Sequence, residues 1–346
     1  MRLRRLLKPL IALLLLGLVL ALVDPAQVWA TLRGADLRWL TLGLLALLLA
    51  NLASALRWRA LCAWMGMRLP RHWSVRTYFH AAALNVVVPG AVVGGDVMRA
   101  AALQGRGHRL LPASLSVLGD RLSGLWLLLA QGVAALAWGL GTPGWQALAA
   151  RWPVLERLAS GPVLMAVLAA MLVLPGVLLC AIGGRFKRRD GRAMDGPPAS
   201  TALPPAVAGS LPHRLGLLAR TMGSHPQAGR FYAGQCLRSW VVQALSVSTL
   251  GCAALAIGVP LDAWMVAAAA VPITLMATLP VSHGGWGTRE AAAVISLAPL
   301  GVEAPQAVAL SVLCGLLPIA QAMLTFIGEG VRSCLLSAIR MTKGKT

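Results

Sequence analysis

Two stretches decide how this chain folds: "VVVPGAVVGGDVMRA", Val86 to Ala100, and "PVSHGGWGTRE", Pro280 to Glu290. Each lies within a long apolar segment, 77 to 103 and 263 to 301, and interrupts it with proline and glycine. In the first, Pro89 precedes Gly94, Gly95 and, after three intervening residues, Arg99; in the second, Pro280 precedes Gly284, Gly285 and, at the same spacing, Arg289. Both therefore read as proline, a short spacer and GGxxxR, with an acid close by: Asp96 in the first copy and Glu290 in the second. A single glycine pair only allows close helix packing. Two copies at corresponding positions are a construction.

The rest of the chain sets the medium. Of its 346 residues, 58% are hydrophobic and 12% charged, a balance that excludes a soluble domain built on one core. A bilayer-crossing helix takes about 20 mostly apolar residues. Full spans are expected near 8 to 25, 39 to 56, 111 to 140, 162 to 182, 236 to 258 and 305 to 328. The first has the basic flank of a signal peptide, but no small-residue cleavage site follows Asp24 and Pro25, so it is expected to be a retained helix. The fold class is thus an all-α polytopic membrane protein of about six full spans plus two broken re-entrant hairpins.

The net charge of +20 raises the question of nucleic acid. The basic residues answer it by position: 25 of the 31 Lys and Arg fall at the N-terminus and in 57–76, 99–109, 185–238 and 332–345. This asymmetry follows the positive-inside rule and puts both termini in the cytoplasm. No aromatic-basic platform or helix-turn-helix accompanies the charge, so no nucleic-acid partner is expected. The six cysteines are scattered singly, the six histidines form no ligand-like pair, and no GxxxxGK[ST] loop occurs. No metal, cofactor, disulfide framework or ATP-driven step is expected. Tryptophans such as Trp58, Trp73, Trp145, Trp152 and Trp264 fall near predicted span ends, as interfacial anchors do.

Residues 183–235, rich in Arg, Pro, Gly and Ala, read as a cytoplasmic linker with a disordered centre. Within it, "HRLGLLARTM", His213 to Met222, reads as a loop end in preference to a surface helix. The linker separates a first membrane half, 1–182, from 236–346, which carries the remainder of the second half and a basic tail. Tracing the topology, each half becomes span, span, hairpin, span, the first hairpin dipping from the cytoplasm and the second from outside. That is the arrangement of inverted-repeat transporters, which bind substrate near the midplane between broken helices.

Interrupted backbone within a bilayer is tolerated where it is buried in protein or lines a wet cavity. Gly94 and Gly95 allow a tight turn, and a helix starting after them aims N–H groups into such a cavity. Arg99 and Arg289, one turn on, supply guanidinium groups suited to a phosphate. The expected ligand is anionic, a phospholipid head group or lipid-linked intermediate. Asp96 and Glu290 either position the arginines or form internal ion pairs with no ligand. Asp120 and Arg121, in "SVLGDRLSGLW", either complete the head-group site or form a local salt bridge at a helix end. Asn85 either satisfies backbone freed by Pro89 or faces the cavity. His283 reads as a pH sensor or, more commonly for a lone histidine, as a cap or donor.

These stretches, "NVVVPGAVVGGDVMRA" and "LPVSHGGWGTREAA", with the basic element "LRWRALCAWMG" at Leu56 to Gly66, resemble the flippase-like transmembrane domain of lysylphosphatidylglycerol synthases and its stand-alone relatives, some associated with hopanoid or glycolipid pathways. The resemblance covers roughly residues 5 to 335. It implies a bacterial or archaeal inner-membrane protein that translocates lipid, with Asn85, Pro89, Gly94, Gly95, Asp96, Arg99, Pro280, Gly284, Gly285, Gly287, Arg289 and Glu290 as the matching positions. Ala91 stands where the family pattern has a polar or basic residue, which implies a different head-group preference. The bifunctional synthases continue into a soluble aminoacyl-transfer domain, whereas this chain ends at Thr346, so a translocating and not a synthesising protein is expected. Three functional classes remain at this point: a lipid translocase, a lipid-binding scaffold for a lipid-modifying enzyme partner, and a membrane-embedded transferase using Asp96 or Glu290 as base.

Overall fold

A computed structural model of the chain describes residues 25–87, 94–153, 155, 160–190, 227–278 and 285–343. Among the described residues the secondary structure is helical, with no strand. The helices are α1 (Pro25–Arg33), α2 (Leu37–Trp64), α3 (Arg71–Val87), α4 (Gly94–Gln104), α5 (Leu110–Gly139), α6 (Pro143–Arg151), α7 (Gly161–Asp190), α8 (Ala228–Ala256), α9 (Ala263–Thr278), α10 (Thr288–Leu297) and α11 (Ala304–Lys343), with a 3-10 turn at Ala298–Leu300 before α11.

Among the described residues, four helical stretches are long and apolar enough to cross a membrane: α2, α5, α8 and Ala304–Gly330 of α11. Gly161–Val177 of α7 and the whole of α9 are shorter apolar helices. The expected first span, 8 to 25, and the segment His213 to Met222 lie outside the described residues, apart from Pro25 at the start of α1. The expected linker is helical at both ends, since α7 runs on to Asp190 and α8 begins at Ala228.

The chain divides into two compact units. Residues 1–52, 75–99 and 245–346 make the first, and 53–74 with 100–244 make the second. Each unit draws on residues from both sides of the linker, and both proline-glycine breaks belong to the first.

In the first unit α9, α10 and α11 pack around Leu250, Val266, Ala269, Ile273, Ala293, Leu297 and Leu310, all buried. Small residues bring the helices close: a side chain at Gly43 of α2 would stand 3.2 Å from Cys252 Cβ of α8 and 3.4 Å from Leu317 of α11. Asn51 Nδ2 donates to Gln321 Oε1 at 2.7 Å, tying α2 to α11 by a polar contact within apolar helices.

In the second unit the sequence predicts that α2 stops at residue 56, before Arg57. The helix instead runs two more turns and ends where Gly66 adopts φ 82°, with Met67 N donating back to Cys62 O at 2.8 Å. Arg57 and Trp58 are consequently inside the protein, 4% and 0% exposed. Trp58 is not the interfacial anchor its position suggested: its ring lies 6.3 Å from that of Trp73, and its Nε1 donates to Ser116 Oγ at 3.3 Å.

Pro175 lies within α7 and removes the N–H that would bond the carbonyl four residues earlier. That carbonyl, on Met171, accepts instead from Trp126 Nε1 of α5 at 2.7 Å, and the next, on Leu172, accepts from Tyr232 Oη of α8 at 2.9 Å. The carbonyl opened by the proline is thus closed by an aromatic donor, as an apolar setting demands.

Candidate functional site

At each break one helix ends and a second begins, α3 and α4 at the first and α9 and α10 at the second, and the second helix starts against the first. At the first break Gly95 N, at the head of α4, donates to Asn85 Oδ1 near the end of α3 at 2.8 Å. Asn85 therefore satisfies backbone on the far side of the interruption. The approach is so close that a side chain at Gly95 would overlap the Ala81 carbonyl oxygen and stand 2.6 Å from Asn85 Oδ1. Only glycine fits there.

One turn into α4, Arg99 Nη2 donates to Asp96 Oδ1 at 2.8 Å, and the guanidinium lies 4.8 Å from the centre of the Tyr78 ring. This is the internal pair that the spacing of three residues allows. Its members differ in access: the Arg99 side chain is 2% exposed and that of Asp96 22%.

At the second break, Gly285 and Gly287 hold φ of 79° and 83°, left-handed values that favour glycine. A side chain at Gly285 would stand 2.8 Å from Ala277 Cα of α9. Thr288 Oγ1 donates to Met276 O at 3.1 Å and Gly285 O at 3.0 Å, fastening the start of α10 to the end of α9. Glu290 Oε2 accepts from Gly287 N at 2.6 Å, so this carboxylate caps α10 from within its own first turn.

The other oxygen of that carboxylate, Oε1, accepts from Arg289 Nη2 at 2.9 Å, from Arg289 Nε at 3.2 Å and from Ser311 Oγ of α11 at 2.9 Å. Ser311 Oγ in turn accepts from Arg289 Nε at 3.1 Å. The Arg289 guanidinium lies 4.7 Å from the Trp286 ring centre, and Gly315 of α11 leaves the space it fills. Glu290 is 0% exposed.

The two breaks share more than their sequence. Each pairs a buried arginine with a neighbouring carboxylate, sets the guanidinium over an aromatic ring, and caps the second helix with a side-chain oxygen. The cap comes from Asn85 before the first break and from Glu290 after the second. The N–H groups of Gly95 and Gly287 are held by these caps. Tyr78, Trp286, Ser311 and Gly315 are site residues that the sequence did not single out. Pro89, Pro280, His283 and Gly284 lie outside the described residues.

Asp120 meets Arg57, a residue the sequence reading did not bring to it. Asp120 Oδ1 accepts from Arg57 Nε at 2.9 Å, and its carbonyl from Arg57 Nη2 at 3.1 Å, while Arg57 Nη1 donates to Ser239 Oγ at 3.1 Å. This buried pair belongs to the second unit and joins α2, α5 and α8. Arg121 is half-buried beside it in sequence.

Long apolar helices, helix breaks fixed by glycine and buried ion pairs define a multi-pass α-helical membrane protein. The family described as Lysylphosphatidylglycerol synthase TM region matches residues 5–327, and the chain belongs to it. A comparison with curated protein sequences gives no match.

Proposed function

We propose that this chain is a lipid translocase that moves an anionic phospholipid or lipid-linked intermediate between the leaflets of a bacterial or archaeal inner membrane. In this reading the two broken elements are re-entrant hairpins of an inverted repeat, entering from opposite faces, with both termini in the cytoplasm. The observation that carries it is the shared construction of the breaks: two capped helix starts, each followed by a buried arginine-carboxylate pair over an aromatic ring. Paired charges inside an apolar helical protein are costly and are characteristically functional.

The pairs also suggest how a head group is taken up. A phosphate displaces a carboxylate from an arginine that is already oriented, so the site is neutral when empty and never leaves a bare cation in the membrane. Both guanidinium groups are buried, Arg99 at 2% and Arg289 at 8% exposure, so in this reading a head group reaches either one only as the surrounding helices part. Opening the two breaks in turn is what alternating access between repeats requires. Leaflet exchange of labelled phosphatidylglycerol in proteoliposomes tests the proposal. Wild type is expected to exceed protein-free vesicles, and Arg99→Ala or Arg289→Ala to abolish the excess; exchange that survives both substitutions contradicts it.

A further inference from the structure

At the start of α8, within the second unit, a cavity of about 340 Å³ opens between this helix and the last turns of α2. Arg230 and Arg238 both line it, with Gln227 at its rim and no carboxylate in its wall. Elsewhere Arg57, Arg76, Arg99 and Arg289 each meet an Asp or Glu. Arg230 and Arg238 make no such pair among the described residues, and both are exposed.

Eight residues of helix separate them by about 12 Å along the axis. Arg238 shortens that gap by folding back over Gly234, where a side chain would stand 3.0 Å from its Nη1. The glycine thus brings two guanidinium groups toward one cavity. The floor is apolar and flat: the Trp64 and Phe231 rings stack with centres 4.2 Å apart and planes 12° from parallel, beside Ala60.

We infer that this cavity binds the phosphate of an anionic glycerolipid head group, with Arg230 and Arg238 on the phosphate oxygens, Gln227 on a hydroxyl and the Trp64–Phe231 stack beneath the glycerol carbons. Guanidinium groups suit phosphate by charge and by fork geometry. An aromatic floor beside basic residues is the amphipathic combination found at a membrane interface. The site uses none of the residues of the two breaks and stands independently of the translocase reading. It would hold a resident lipid at the edge of the helical unit. A soluble phosphate ester presents the same chemistry, and the experiment separates the two sources.

The full chain is placed in phosphatidylcholine nanodiscs with graded phosphatidylglycerol, and bound lipid is counted by native mass spectrometry, with and without glycerol 1-phosphate. The comparison is between Arg230→Gln/Arg238→Gln and its parent, made in the wild-type chain and again in Arg99→Ala. The expected result is selective retention of phosphatidylglycerol over phosphatidylcholine, with apparent affinity falling about tenfold or more in the double-Gln variant in both backgrounds, and restored in part by Arg230→Lys/Arg238→Lys. Displacement of the lipid by glycerol 1-phosphate in the wild type alone upholds the phosphate chemistry and overturns the lipid as its source. Equal retention of phosphatidylcholine, or unchanged phosphatidylglycerol binding in the double-Gln variant, overturns the site. Both arginines are exposed, so an unchanged unfolding midpoint is expected to accompany the loss.

Discussion

Arg57 Nε lies 2.9 Å from Asp120 Oδ1, a buried ion pair between helices 63 residues apart in the chain. Ser239 completes it from a third helix, and a side chain at Gly124 would stand 3.3 Å from the guanidinium nitrogens. The contact ties together α2, α5 and α8 of the second unit. Removing one partner strands the other charge, a loss of about 3–5 kcal/mol, whereas exchanging both for apolar residues removes the desolvation penalty as well. Asp120→Leu is therefore expected to lower the unfolding midpoint in detergent sharply, and Arg57→Met/Asp120→Leu to be less damaged than either single substitution. A double variant as unstable as the sum of the two singles would show that the pair is not a unit.

Arg76 and Glu329 form a contrasting pair. Their contact is short, 2.6 Å, but the arginine side chain is 48% exposed and the carboxylate 25%. Screening leaves such pairs worth about 1 kcal/mol or less. Glu329→Gln should barely move the unfolding midpoint, even though its geometry is at least as good as that of Arg57 with Asp120.

Gly315 gives Arg289 its room. A side chain there would overlap the guanidinium, which cannot step aside without leaving both Glu290 and Ser311. Gly315→Ala should thus reproduce the transport defect of Arg289→Ala. Gly328, on the same helix α11, faces open space, and Gly328→Ala should be neutral or up to about 1 kcal/mol stabilising. Leaflet exchange and unfolding of the two alanine variants, side by side, separate a position-specific effect from a general one.

Trp126 answers a proline on another helix. With Nε1 removed in Trp126→Phe, the Met171 carbonyl loses its donor, at a cost of about 1–3 kcal/mol. Alanine at residue 175 restores the helical N–H, so the penalty for Trp126→Phe should shrink in the Pro175→Ala background. Equal penalties in both backgrounds would disconnect the indole from the proline.

At the first break, Asn85→Ala should cost about 0.5–2 kcal/mol, the usual loss for a missing helix cap, and Asn85→Asp should retain most of it. Gly95→Ala is expected to be worse than either, because it meets a backbone carbonyl that cannot rotate away. Unfolding midpoints of the three variants rank these effects directly.

What could be read from the sequence follows from what is local. The breaks at Gly94–Gly95 and Gly285–Gly287, the acid beside each arginine and the polytopic class are all carried by spacing and composition. The extent of α2 is not. A hydropathy reading ends a span at its first charge, but Arg57 is neutralised by Asp120 and Ser239, contributed by helices 63 and 182 residues away. Trp58 was misplaced for the same reason, since burial at the end of an apparent span looks like the interface. Trp286 lay inside the second motif, and its ring beside the arginine was a signal within reach. Ser311 and Gly315 had no local mark, because an isolated serine or glycine in an apolar helix reads as packing.

The inverted arrangement of the two broken elements is the claim on which the transport reading rests, and accessibility labelling tests it most directly. Single cysteines are introduced in a cysteine-free chain at Gln104, the end of α4, and at Glu303, just before α11, both exposed positions. A membrane-impermeant maleimide is then applied to oriented vesicles from one face at a time. Gln104→Cys is expected to label only from the cytoplasmic face and Glu303→Cys only from the opposite face. Labelling of both positions from the same face would contradict the inverted arrangement.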